Sequence, residues 1–102
     1  MKRIYTATEI SEILRPIFRS MPIKKAILFG SYAKGAPSKS SDIDIVIDSN
    51  GKIRGIDFFG LLEDITEILD IPVDLIEASQ ILDGGSIQRE IEKTELVIYE
   101  RA

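Results

Sequence analysis

Four residues in one short stretch carry most of the chemistry that this chain could perform. In FGSYAKGAPSKSSDIDIVID, Gly30 and Ser31 end an apolar segment, and after ten intervening residues Asp42 and Asp44 open the next one. A glycine at a strand end lets backbone amides approach phosphate oxygens, and a serine beside it adds a hydroxyl donor. Two aspartates at i and i+2 on a strand point to the same side, roughly 6 to 7 Å apart, which suits carboxylates that share divalent metal ions. A third aspartate, Asp74, stands among Val73, Leu75 and Ile76 in a later apolar run. If it joins the first two, each like-charge pair at 4 Å costs about 4 kcal/mol at an effective dielectric of 20, a cost that a fold accepts most readily where a cation is expected.

Several other chemistries are excluded. The 102-residue chain has no Cys and no His, which removes disulfides, thiolate nucleophiles, Cys/His zinc sites and imidazole catalysis. Gly30 and Gly35 have Walker A spacing, but Ala36 and Pro37 stand where that motif needs Lys and Ser or Thr, so a P-loop ATPase is rejected. Residues 1–39 hold 8 Lys and Arg against 2 Asp and Glu, whereas residues 40–102 hold 5 against 15. The basic part, with Lys24, Lys25, Lys34 and Lys39, is expected to attract phosphate or an acidic partner. The net charge of -4 argues against an extended nucleic-acid track. No apolar run approaches the roughly 18 residues of a membrane span, and no signal-peptide pattern is present, so the expected location is the cytoplasm, away from membranes.

The elements that must position these residues follow from hydrophobic periodicity. Thr6 and Glu9 have capping-box spacing ahead of Ile10, Ile13, Leu14, Ile17 and Phe18, which predicts a helix over 7–20 that Pro16 kinks or interrupts. Residues 23–29 read as a strand. Residues 42–48 alternate, with Ile43, Ile45 and Ile47 on one face and Asp42, Asp44, Val46 and Asp48 on the other. Asn50-Gly51 predicts a tight turn, after which 52–54 could fold back briefly. A helix over 56–70 buries Phe58, Leu61, Leu62, Ile65 and Leu69. Residues 72–77 form a strand, a short helical turn lies near Ile81, a helix begins at Ser86 with Ile87 and Ile91 inward, and 96–99 form a last strand. The order α-β-β-α-β-α-β predicts one α/β (α+β) domain over residues 1–102, with a small mixed sheet packed against helices. Asp48 reads as a turn residue and Glu77 as lying outside the site. Tyr32 either stacks on a base or covers the second strand.

Gly30-Ser31, Asp42-x-Asp44 and the later Asp74 together resemble the DNA polymerase β-type nucleotidyltransferase superfamily. Within it, the small size, LFGSYAKG and the terminal LVIYE are similar to the minimal nucleotidyltransferases, the MntA-like antitoxins of HEPN/MNT toxin-antitoxin pairs. The resemblance implies the nucleotidyltransferase fold and a metal-dependent transfer of a nucleoside monophosphate. Asp42, Asp44 and Asp74 would bind two Mg²⁺ ions and carry catalysis, and Gly30 and Ser31 would hold the phosphates. It further implies ATP as substrate and a tyrosine of a HEPN-type toxin as acceptor, modified so that the toxin is silenced. Where the family loop reads Gly-Ser-x-Ala-Arg-Gly, this chain has Lys34, which keeps the charge but loses the planar fork. The alternatives are an antitoxin that masks its toxin without turnover, and a nucleotidyltransferase of small molecules such as antibiotics. The short chain has little with which to cover a nucleotide base, so a partner protein or a second copy in a homodimer is expected to complete the site.

Overall fold

Thr6 and Glu9 close the reciprocal cap that their spacing predicts: the Glu9 amide donates to Thr6 Oγ1 at 3.1 Å and the Thr6 amide to Glu9 Oε1 at 2.9 Å. From this cap helix α1 runs Ala7–Arg19. Pro16 does not interrupt it, contrary to expectation. Only one turn remains beyond Pro16, and burial of Leu14 and Phe18 on either side of it offsets the one backbone donor that proline removes. The computed structural model describes residues 4–37 and 42–101; Lys39, one of the basic residues singled out above, lies outside them.

The remaining elements are β1 (Lys25–Phe29), β2 (Ile43–Asp48), α2 (Ile56–Leu69), β3 (Val73–Glu77), a 3₁₀ turn (Ala78–Gln80), α3 (Ser86–Thr94) and β4 (Leu96–Glu100). β1 begins two residues later than the apolar pattern suggests, because the Ile23 amide is taken up in a tight turn by the Met21 carbonyl at 2.7 Å. The short helical turn expected near Ile81 is the 3₁₀ turn, which follows β3 directly and ends just before Ile81. Residues 52–54 form no strand. Ile53 instead enters the core, 1% exposed, with its amide on Ser49 Oγ.

The strands form a mixed sheet of order β3-β2-β1-β4, antiparallel except for the parallel pair β2/β3. Alternation along the strands divides the sheet into two faces. Ala26, Leu28, Ile43, Ile45, Ile47, Leu75 and Ile98 pack with Ile10, Leu14 and Phe18 of α1 and Leu61, Ile65 and Leu69 of α2 in the main core. On the opposite face Phe29 and Val46 pack with Ile91 of α3, flanked by Ile27, Ile76 and Ile81, and Asp44 shares that face. Ile87 was expected to point inward, but it is 44% exposed and Thr94 is buried in its place. The core thus fixes β2 so that its aspartates face away from it.

A buried carboxylate holds the far end of β2 and β3 together. Glu77 is 2% exposed and accepts from the Ser49 amide at 2.8 Å, the Ser49 hydroxyl, the Gly51 amide at 3.3 Å and the Ser79 amide at 2.6 Å. It thereby secures the Asn50-Gly51 turn, whose two residues have φ of 56° and 72°. Asp48 belongs to the same turn, accepting from the Asn50 amide at 3.1 Å. Burial alone would raise the Glu77 pKa, but the hydrogen bonds from Ser49 and Ser79 outweigh it and hold the carboxyl at about 2. A depressed carboxylate stabilises the fold above its unfolded pKa, and that contribution, about 3 kcal/mol, fades as pH falls from about 4.5 toward 2. Glu77→Gln should therefore lower the urea unfolding free energy at pH 7 by about 3 kcal/mol, and the gap to the wild type should narrow progressively below pH 4.5.

Candidate active site

Parallel pairing of β2 with β3 sets Asp44 directly beside Asp74, because the ladder matches Ile43 to Val73, Asp44 to Asp74 and Ile45 to Leu75. Residues matched across a ladder point to the same face, so both carboxylates leave the sheet on the side away from the main core. A hydrogen bond between them is among the causes that favour the protonated form of Asp44. Asp42 stands exposed just before β2, and its charge reaches Asp44. The three aspartates singled out in the sequence are thus gathered at one end of the sheet.

The Asp44 pKa is pushed up to about 6, first by burial, then by the charge and hydrogen bond of Asp74, and then by the charges of Asp42 and Glu90. Between pH 4 and 6 the folded chain therefore holds a proton that the unfolded chain has released, and folding is opposed once that proton is lost. The Asp44→Asn chain should be more stable than the wild type by about 1–2 kcal/mol at pH 7, after discounting for solvent screening of a half-buried group. The difference should vanish below about pH 4, as read from paired urea titrations.

Gly30 follows β1, whose last residue, Phe29, pairs with Asp44. A Cβ at Gly30 would collide with Asp44 Oδ2, and its φ of +75° disfavours any side chain. Glycine is needed here to let the loop backbone lie against the carboxylate. The Gly30 amide, expected to meet phosphate, is committed within the fold, donating to Thr94 Oγ1 at 3.0 Å. Thr94 in turn donates to the Glu90 carbonyl at 2.8 Å, locking α3 to the loop. From Ser31 the chain makes a single turn, closed by the Lys34 amide on the Gly30 carbonyl at 3.2 Å and the Ala36 amide on the Ser31 carbonyl at 3.1 Å. Ser31 is half-buried at the start of this turn. Gly30→Ala should destabilise by about 1–3 kcal/mol. Part of that loss should be recovered in Gly30→Ala/Asp44→Ala, since removal of Oδ2 relieves the collision and leaves only the φ strain.

Other expectations are corrected. Tyr32 is 3% exposed and packs in the main core, so it covers the strands and offers no face to a base. Lys24 and Lys25 stand at the other end of β1, about 17 Å or more from Gly30 by strand rise, and cannot act together with Lys34 on one phosphate group. Lys34 instead pairs with Glu90, Nζ to Oε1 at 3.8 Å. Glu90 and Thr94 were missed in the sequence. Their i, i+4 spacing on α3 was the available signal, but it was masked by the apolar reading of Ile87 and Ile91.

The donor set consists of hard carboxylate oxygens with no nitrogen or sulfur ligand, and the repulsion between Asp44 and Asp74 is one that a divalent cation could relieve. This chemistry fits Mg²⁺. Among the described residues no three acidic side chains converge closely enough to hold an ion as they stand, so the carboxylates would have to close on one.

The model of the polymerase beta nucleotidyltransferase family matches residues 9–102, nearly the whole chain. The chain belongs to that family. A Methanocaldococcus jannaschii protein named "Putative protein adenylyltransferase MJ1215" is 37% identical over 83 residues, covering 78% of this chain and 96% of that protein. The fold of this nucleotidyltransferase also matches solved antitoxin structures. A toxin-antitoxin crystal structure with AMP-PNP has a TM-score of 0.76 at 20% identity, covering 89% of this chain and 73% of that one. A tri-AMPylated Shewanella oneidensis HEPN toxin in complex with MNT antitoxin has a TM-score of 0.72 at 17% identity, covering 94% of this chain and 74% of that one. Among the described residues, no helix of this nucleotidyltransferase is long and apolar enough to cross a membrane.

Proposed function

We propose that this nucleotidyltransferase moves AMP from ATP to a tyrosine hydroxyl of a partner HEPN-type toxin and thereby acts as its antitoxin. The observation that carries the reading is the Asp44-Asp74 pair in register on neighbouring strands, with the Gly30-Ser31 loop lying against it. The adenylyltransferase name of the 37% identical relative supports the nucleotide. The AMPylated toxin in the structurally similar complex supports the acceptor class.

In this reading the whole of residues 1–102 forms one catalytic domain. Asp42, Asp44 and Asp74 would hold two Mg²⁺ ions, which when bound supply neutralisation of the triphosphate charge. Ser31 donates its hydroxyl to a phosphate oxygen, and Gly30 lets the loop come close enough for that contact. Asp74 lies on the edge strand β3, where an acceptor can approach from outside the sheet. It accepts the proton of the acceptor hydroxyl, whose oxygen attacks the α-phosphorus in line. The bond from that phosphorus to the bridging oxygen breaks, and pyrophosphate leaves. Among the described residues no second lobe stands over the base, so the toxin or a second copy covers it. Cytoplasmic residence follows from the use of ATP.

Incubation with α-labelled ATP, Mg²⁺ and the neighbouring-gene product should place label on that protein. Asp44→Asn and Asp74→Asn should each reduce the rate at least about 100-fold. Silencing of the toxin without label would assign the chain to antitoxins that act by contact, and label on a small molecule would overturn the protein acceptor.

A further inference from the structure

The site includes one pair of opposite charges for which the proposed chemistry has assigned no task. Lys34 lies on the loop turn that starts at Gly30, and its ammonium is 3.8 Å from Glu90 Oε1 on α3. Both side chains are roughly half exposed, 57% and 42%, so the pair is weak and its partners are exchangeable. Their backbones are not exchangeable. The Gly30 amide is fixed to Thr94 Oγ1, and Thr94 to the Glu90 carbonyl, so loop and helix hold the two side chains at a set separation. Glu90 also lies near enough to Asp44 for its charge to act there.

The consequence lies in where Lys34 would go without Glu90. A lysine is a point charge on a flexible stem, and the carboxylate whose site the Glu90 charge reaches is Asp44. A lysine ammonium on Asp44 would occupy the position that a divalent cation needs. We propose that Glu90 is a positioning residue that holds the Lys34 ammonium at the mouth of the site, off Asp44, until the phosphates of a bound nucleotide draw it away. This rests on the nucleotidyltransferase site described above. Lysine suits the role, since a guanidinium fork would engage carboxylates bidentately and release them less readily.

The test is a double-mutant cycle on Mn²⁺ binding to the full chain without nucleotide, read by paramagnetic relaxation of water. Glu90→Gln keeps the backbone carbonyl that anchors Thr94, and its unfolding midpoint reports that the fold is intact. It should weaken Mn²⁺ binding about 3- to 5-fold, and Lys34→Gln added to it should restore most of the loss. Lys34→Gln alone should leave Mn²⁺ binding nearly unchanged but weaken binding of ATP measured with Mg²⁺. If the two substitutions act additively on Mn²⁺, Glu90 contributes only its negative charge and the proposal is overturned. Label transfer by the wild-type chain is a separate readout: its failure would sink the adenylyl-transfer reading while the Mn²⁺ cycle still decides the role of Glu90.

Discussion

Two carboxylates set side by side by a parallel ladder are the constraint on which the rest of this structure depends. Asp44 and Asp74 cannot both be ionised at low cost, and burial together with the charge and hydrogen bond of Asp74 raises the Asp44 pKa to about 6. Nothing in the packing requires aspartate at either place. The neighbouring ladder pair on the same face, Val46 with Ile76, shows what the sheet does where only packing is needed. The acidic pair is therefore a stability cost borne at a site, and a cation bound there would turn repulsion into coordination.

The surrounding parts limit how the conflict can relax. Isoleucines 43, 45 and 47, all fully buried, hold β2 so that Asp44 cannot rotate into the core. Gly30 removes the side chain that would otherwise push Asp44 aside, and α3 fastens the Gly30 amide through Thr94. At the opposite end of the same two strands, Glu77 solves the reverse problem. It is more deeply buried than Asp44, yet it is held ionised because its donors are backbone amides and a serine hydroxyl instead of another acid. The two carboxylates show that the partners, more than the depth of burial, decide the sign of a pKa shift.

Most of this was legible in the sequence where the cause is local. The cap at Thr6, the alternation from Asp42 to Asp48, the Asn50-Gly51 turn and the buried stripe of α2 each follow from residue types within a few positions of one another. Asp74 could be associated with Asp44 through the family resemblance, but their register could not, since it is fixed by pairing across nearly thirty residues. Strand parity alone places Glu77 away from Asp74; Ser49 and Gly51, which together with its neighbour Ser79 make it structural, come from the turn after β2. Glu90 and Thr94 were overlooked for a similar reason. Rotation of α3 about its axis depends on its packing against Phe29 and Val46, which no local pattern records.

The central claim is that the Asp44-Asp74 pair is built to hold a cation, and that a bound cation would lower the raised Asp44 pKa. Carboxyl carbon shifts of Asp44, followed by NMR across a pH titration, address it directly. The account predicts a midpoint near 6 in the free chain that moves down into or below the ordinary carboxylate range when Mg²⁺ and a non-hydrolysable ATP analogue are added. A midpoint near 4 in the free chain, or one near 6 that ignores Mg²⁺ and nucleotide together, would contradict it.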